Sequence, residues 1–222
     1  THAQLATQLD RGVRSFELDI FADPTGGRFA KPLLPRALGL NVADPTGMND
    51  PGMKVIHIQD IDFRSTCPTL VECLGEMRTW SDAHPDHLPI VVNLELKEDA
   101  LPAPFDGTSI APFDAAQLDA VDAELVSVLG DRLITPDDVR GDAPDLRTAL
   151  QTEGWPTVAE SRGRFLFFID NAGKRDLYLD GHPSLAGRVM FTSSGEGQPD
   201  GAVIKENEPA DGTRLRQLVE AG

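Results

Sequence analysis

Basic residues are scarce in this chain of 222 residues: 20 Lys and Arg stand against 36 Asp and Glu, for a formal net charge of -16. A chain this acidic is repelled by phosphate backbones, which argues against nucleic acid as a partner. Anionic membrane surfaces repel it too, unless a cation or an apolar rim mediates a transient contact. No apolar run approaches the ~20 residues that span a bilayer, so no transmembrane segment is expected. No Gly-rich phosphate loop follows any strand-like run, which weakens a dinucleotide-binding reading. Repeats, heptads and low-complexity tracts are missing as well. Cysteine is limited to Cys67 and Cys73, six apart in STCPTLVECL, and no nearby His or third Cys completes a zinc site. In a secreted protein the pair reads as a small-loop disulfide, contributing about 2 kcal/mol. In a cytosolic protein it reads as two buried thiols. The first residue is Thr1 rather than Met, so something upstream is expected to have been removed or left out of view.

What is present is strand and helix in alternation. The runs SFELDIF (15–21), KVIHI (54–58), PIVVNLELK (89–97), RFLFFIDN (164–171), RVMFTSS (188–194) and GAVIKENE (201–208) are expected strands. Between them, CPTLVECLGEMRTW carries a helical stripe of Leu70, Val71, Leu74, Met77 and Trp80. FDAAQLDAVDAELVSVLGD starts at a capping Asp114 and ends at Gly130, ITPDDVRG opens with Thr135 and Pro136, and DGTRLRQLVEAG closes the chain. Such alternation argues for a parallel sheet covered by helices, either open and doubly wound or closed into a barrel. The barrel explains more, because functional groups collect at the C-terminal ends of barrel strands and polar residues gather there: Glu17 and Asp19, His57, Asn93, Glu95 and Lys97, Asp170, Lys205 and Asn207. The multiple positions are spaced by two, so each set faces one side of its strand. The expected fold is therefore an α/β, TIM-type (β/α) barrel, with residues 1–222 forming one domain. Two long stretches, 22–53 and 98–113, are rich in Pro and Gly and are expected to be functional or mobile loops. The second offers Phe105, Ile110 and Phe113 as an apolar rim for a lipid surface, or as a loop packed back on the barrel.

Glu17, Asp19 and Glu95 bring three carboxylates to one barrel mouth. Like charges this close raise a pKa or demand a cation, and oxygen-only ligands favour a hard ion, Ca²⁺ ahead of Mg²⁺. The alternative is that each carboxylate pairs with a neighbour such as Lys97 or Arg64. Asn93 reads as a further oxygen ligand or as barrel packing. His57, at the end of KVIHI with Asp60 and Asp62 just after it, supplies an acid or base beside a divalent cation, as phosphodiester cleavage requires. Without that context it would read as a core histidine. His2, His84, His87 and His182 read as structural. Lys97, Asp170, Lys205 and Asn207 are expected substrate contacts by position.

The stretches QLDRGVRSFELDIFADP, GMKVIHIQDIDFRSTCPTLVECL, LPIVVNLELK, LITPDDVRG, GWPTV, GRFLFFIDN and GHPSLAGRVMFTSS together resemble the calcium-dependent, phosphoinositide-specific phospholipase C group of secreted bacterial proteins. That group lies within the barrel superfamily of phospholipase-C-like phosphodiesterases. The resemblance runs from about residue 5 to about 208; HIQDIDFRSTCPT with LITPDDVRG is its most specific part. It implies secretion, Glu17, Asp19 and Glu95 as Ca²⁺ ligands, and His57 as one of two catalytic histidines. It also implies a cyclic inositol phosphate and diacylglycerol as products. One departure stands out: the HNSY-like first-strand motif and the RTRAD-like last strand of the group have no counterpart here. Six of eight expected strands are present, so the natural polypeptide is expected to extend beyond both Thr1 and Gly222, or else the barrel is degenerate. Two rival functions stay open, a glycerophosphodiester or sphingomyelin-type phosphodiesterase and a non-catalytic lipid or inositol-phosphate binding barrel.

Overall fold

Strand alternation sets the layers of the molecule. In β1 (Ser15–Asp23), Phe16, Leu18 and Ile20 are buried while Glu17 is exposed and Asp19 only partly covered. In β3 (Ile90–Leu96), Ile90, Val92, Leu94 and Leu96 are buried and the residues between them are half-buried. The computed structural model describes residues 2–40, 47–104, 107–206 and 212–221. Its sheet runs in the order β2-β1-β3-β4-β5, with β2 at Gly52–Val55, β4 at Phe165–Ile169 and β5 at Phe191–Thr192. The neighbours β1–β3, β3–β4 and β4–β5 are parallel. β4 is apolar on both faces, as a strand buried between layers must be.

The helices are α1 (Leu5–Asp10), α2 (Leu33–Ala37), α3 (Leu70–Ala83), α4 (Ala115–Leu129), α5 (Pro136–Arg140), α6 (Leu146–Thr152), α7 (Val158–Ser161), α8 (Arg175–Leu179) and α9 (Gly212–Ala221). α3 begins with a reciprocal Thr69–Glu72 capping box and sends Leu70, Leu74, Met77 and Trp80 into the core. α4 starts where the Asp114 carboxylate accepts the Gln117 N–H, buries Leu118, Val121, Leu125 and Leu129, and ends at Gly130, whose φ of 50° suits a residue without Cβ. α5 opens on the Thr135 cap with Pro136 in its first turn, as its sequence signature requires. The 175–190 segment is locked onto α4 by Tyr178. Its hydroxyl donates to Asp122 at 2.6 Å and accepts the Met190 N–H at 3.0 Å, and the Arg188 guanidinium lies 4.3 Å over its ring.

Three expectations need correction. KVIHI is strand only at Lys54 and Val55: β2 ends there and runs antiparallel to β1, with Ile20 opposite Val55 and Asp23 opposite Gly52. The hairpin closes because Lys54, fully buried, donates from Nζ to the carbonyls of Gly47 and Asp50, while Glu124 of α4 accepts the Met53 N–H. Gly26 permits the turn, since a Cβ there would sit 2.2 Å from the Asn49 carbonyl oxygen. Second, GAVIKENE is no strand over its described residues; only Val203 forms an isolated bridge, to Ser193. Third, the 22–53 stretch is not without structure, since β1 continues into it and α2 lies within it. Of the two readings of the 98–113 loop, its described residues take the packed-back one: Phe113 is fully buried in the main core and Ile110 packs on a second, smaller cluster with Phe21, Phe29, Met48 and Ile56. Phe105 lies outside the described residues. Among the described residues no helix is long and apolar enough to cross a membrane.

Candidate active site

Register brings the polar residues together. Because β1 and β3 are parallel with Glu17 opposite Asn93 and Asp19 opposite Glu95, the four side chains share the sheet face turned away from the helix-covered core. One carboxylate oxygen from each of Glu17, Asp19 and Glu95 lies within 4.8 Å of the other two. Asn93 cross-links this group, its Nδ2 donating to Glu17 at 2.9 Å and to Asp170 at 2.8 Å. Asp170 follows β4 and is also ion-paired with Lys205. Lys97 donates to Glu95 Oε1 at 3.0 Å.

The electrostatics of the trio are unbalanced. Asp19 is pushed from 3.8 up to about 6, first by burial, then by its closeness to Glu95, with which a protonated carboxyl would share its hydrogen, and by the charges of Glu95 and Glu17; Lys97 opposes the rise. Burial works against the charge on Lys97, yet the bond to Glu95 and the field of Asp19 prevail and raise its pKa. One lysine does not neutralise three carboxylates. Two oxygens in the cluster, Asp19 Oδ1 and Asn93 Oδ1, are buried without a hydrogen-bond partner. Such groups are costly unless something satisfies them. The donor set is all oxygen, and two oxygens bound at about 2.4 Å on opposite sides of one Ca²⁺ stand about 4.8 Å apart. The residues fit a calcium ion.

A cavity of about 530 Å³ opens on this cluster. Its walls include Glu17, Asp19 and Glu95 from the sheet and His57, Asp62 and Arg64 from the segment after β2. His57 stands just past β2, immediately before the turn closed by the Ile58–Asp62 bridge, and its Nδ1 is 2.9 Å from Asp62 Oδ2. With Nδ1 held by the carboxylate, Nε2 is the nitrogen left to face a substrate. The pair is well exposed, at 62% and 61% of the side chains, so Asp62 acts mainly by orienting the ring. Cys67 and Cys73 form a disulfide, which ties the Arg64–Cys67 wall of the cavity to α3.

The structure brings the trio and His57, expected from the sequence as site residues, to one cavity, while the side chain that ties down the loops around His57 was not anticipated. Asp60 is 3% exposed and sits at φ 69°, in the left-handed region that Asp tolerates better than most residues. Its carboxylate accepts the Leu33 N–H at 2.8 Å and the Thr108 hydroxyl at 2.8 Å, so the His57 turn, α2 and the 98–113 loop meet at one side chain. Nothing local in the sequence announces contacts 27 and 48 positions away. Of the expected substrate contacts, Lys97 is engaged with Glu95, Asp170 and Lys205 pair with each other behind Asn93, and Asn207 lies outside the described residues. His84 stacks on Trp80, His87 is buried, and His182 bonds the Ala186 carbonyl, all structural as expected; His2 instead lines the cavity.

Comparison with known proteins bears on this site. The family model described as phosphoinositide phospholipase C, Ca²⁺-dependent, matches residues 1–222. No curated protein matches. A Ca²⁺-dependent phosphatidylinositol-specific phospholipase C from Streptomyces antibioticus is 26% identical, with a TM-score of 0.50 over 84% of this chain and 59% of that one. A calcium-dependent phosphoinositol-specific phospholipase C from a Gram-negative Pseudomonas sp. is 22% identical, with a TM-score of 0.59 over 91% of this chain and 65% of that one. A structure of that Pseudomonas enzyme described as a myoinositol complex gives 22% and 0.57 over 90% and 64%. The chain thus spans about three-fifths of the length of these relatives. The likeness makes the sheet the described part of a TIM-type α/β barrel, its wall open among the described residues.

Proposed function

The chain belongs to the Ca²⁺-dependent phosphoinositide phospholipase C family, and from that premise we propose that it carries the calcium site and one acid–base residue of a phosphodiesterase cleaving phosphatidylinositol-type lipids. The observation that carries the reading is a single cavity holding both the carboxylate trio and the His57–Asp62 pair. Glu17, Asp19 and Glu95 would hold the ion, with the Asn93 carbonyl oxygen as a further donor. A bound Ca²⁺ would acidify a coordinated inositol hydroxyl and offset charge on the phosphate oxygens.

The protein's own groups divide the remaining work. Attack of the inositol 2-hydroxyl oxygen, whose proton passes to water acting as base, forms a new P–O bond and breaks the bond to the diacylglycerol oxygen, leaving a cyclic inositol phosphate. His57, protonated and held at Nδ1 by Asp62, gives its proton to the departing diacylglycerol oxygen. Arg64, which lines the cavity, and the lysines Lys97 and Lys205 serve as contacts for the anionic headgroup, with Asp170 holding Lys205; Asn207, outside the described residues, is kept as a further contact on its sequence position alone. The family relation and the disulfide, a bond of oxidising compartments, support a secreted protein.

Phosphatidylinositol and glycerophosphocholine, each incubated with calcium or with chelator and followed by phosphorus NMR, test the reading. The expected result is a cyclic inositol phosphate from the first substrate only, and only with calcium. Hydrolysis of glycerophosphocholine alone would move the chain to a glycerophosphodiesterase role. Binding of inositol phosphate without turnover of either would make it a binding barrel.

A further inference from the structure

Building on the lipid-substrate reading, we propose that the segment 31–40, with Ile61 beside it, is the surface by which the protein docks on an anionic phospholipid bilayer. Four large apolar side chains are exposed there: Leu34 at 43%, Leu38 at 64%, Leu40 at 58% and Ile61 at 46%. The Leu34 N–H donates to the Asp60 carbonyl at 3.3 Å, which sets α2 against the turn that bears Ile61. The other exposed apolar side chains, such as Val71, Val126, Trp155 and Val219, are spread over separate elements. Apolar exposure gathered in one place marks an interaction surface, whereas single exposed residues need no explanation.

Charge identifies the partner. From Pro24 to Ala43 the sequence has no Asp or Glu and has Arg28, Lys31 and Arg36, in a chain of net charge -16. Lys31 and Arg36 are exposed, and the charged side chain of neither makes an ion pair or hydrogen bond with a described residue. Cations elsewhere are commonly engaged, as in Arg132 with Asp82, Arg175 with Asp200 and Arg188 with Asp119. An anionic bilayer therefore attracts this one segment and repels the acidic remainder, which fixes the orientation of approach. Apolar side chains flanked by basic ones bind a lipid interface by the same two forces as an amphipathic helix. The Asp60 carboxylate links α2 to the turn carrying His57 and Asp62, so docking through this segment brings the cavity to the lipid surface.

Co-sedimentation of the full chain with phosphatidylcholine vesicles, with and without phosphatidylglycerol, tests this without using the substrate lipid. Wild type should bind the phosphatidylglycerol vesicles, poorly the neutral ones, and less as salt rises. The triple variant Leu34→Ser, Leu38→Ser, Leu40→Ser should bind at least ~10-fold more weakly, and Lys31→Ser with Arg36→Ser about five-fold more weakly per cation removed. Both should turn over a water-soluble glycerophosphoinositol substrate as wild type does. Should the leucine variant fail to fold, the charge variant decides alone. Equal binding by wild type and the deciding variant, absence of wild-type binding, or equal binding to neutral vesicles would overturn the proposal. So would a wild-type dimer that the leucine changes dissociate without altering vesicle binding, since a second copy would then be the occupant. Vesicle binding is read apart from turnover, so loss of the phosphodiesterase reading and loss of this one are told apart.

Discussion

Replacing Asp19 by Asn should have opposite effects with and without calcium. Asp19 is the member of the trio with an unpartnered buried oxygen and a carboxyl raised to about 6. In the metal-free protein its ionised form is disfavoured by burial and by Glu95 and Glu17. The folded pKa lies above the ordinary value of 3.8, so this group's contribution is fully stabilising below that value and is lost as pH rises to about 6. Asn cannot ionise, so Asp19→Asn should melt higher than wild type at neutral pH in chelator. Calcium reverses the order. An ion that binds only the folded state stabilises it by about 2.7 kcal/mol at a hundredfold excess over Kd, and about 2–4 °C per kcal/mol is expected for a domain of this size. Wild type should therefore gain roughly 5–10 °C, and Asp19→Asn little or nothing. Protons compete for the same oxygens, so the wild-type gain should shrink below about pH 6. Thermal melts in calcium and in chelator, at neutral pH and near pH 5, measure all of this. Identical wild-type melts under the two conditions would refute the metal site, and a variant that melts lower than wild type in chelator would refute the repulsion argument.

His57→Ala should lower turnover of phosphatidylinositol by at least ~100-fold while leaving the calcium-induced melting shift in place; a substrate with a much better leaving group should be spared most of that loss, and equal losses would favour an orienting role. Asp62→Asn should cost about tenfold or more in kcat with KM little changed, because it frees the ring without removing the proton donor; a pure KM effect would point to substrate contact instead. Tyr178→Phe should destabilise the fold by about 1–3 kcal/mol, since the Asp122 carboxylate and the Met190 N–H lose their partner in a buried setting. Asp122 itself is raised to about 6, chiefly by burial and against the pull of Tyr178 and Arg188, so its contribution is full at low pH and lost by about pH 6; Asp122→Asn should flatten that part of the stability profile, and an unchanged slope would count against it.

Elements that carry their own boundary signals were legible. α3, α4 and α5 each begin at a side-chain cap visible in the sequence, and α4 ends at the expected glycine. β1 and β3 were legible because polar residues at every second position interrupt an apolar run, and the parallel pairing then puts Glu17, Asp19 and Glu95 side by side. Direction was not legible: KVIHI has the composition of a buried strand, and only the turn at Gly26 and the anchoring of Lys54 and Met53 make it fold back on β1. The 98–113 loop stayed open between two readings because Phe113 in a Pro-rich stretch looks available, whereas its N–H is held by Glu98 and its ring fills the core.

The hub at Asp60 shows why site-building residues escape a linear reading more readily than site residues do. A metal ligand needs a particular donor type near others of its kind, and strand alternation with sheet register brings such donors together in a recognisable spacing. A positioning residue needs only to satisfy orphan backbone groups, and any loop that passes nearby can provide them. Asp60 does this for Leu33 and Thr108 from the turn between His57 and Asp62. Asp60→Asn keeps the shape but turns one acceptor oxygen into a donor facing the Thr108 N–H. If the hub positions His57, that variant should lower turnover while the calcium shift, set on β1 and β3, stays whole. Loss of both together would mean that Asp60 supports the whole site and not the histidine turn alone.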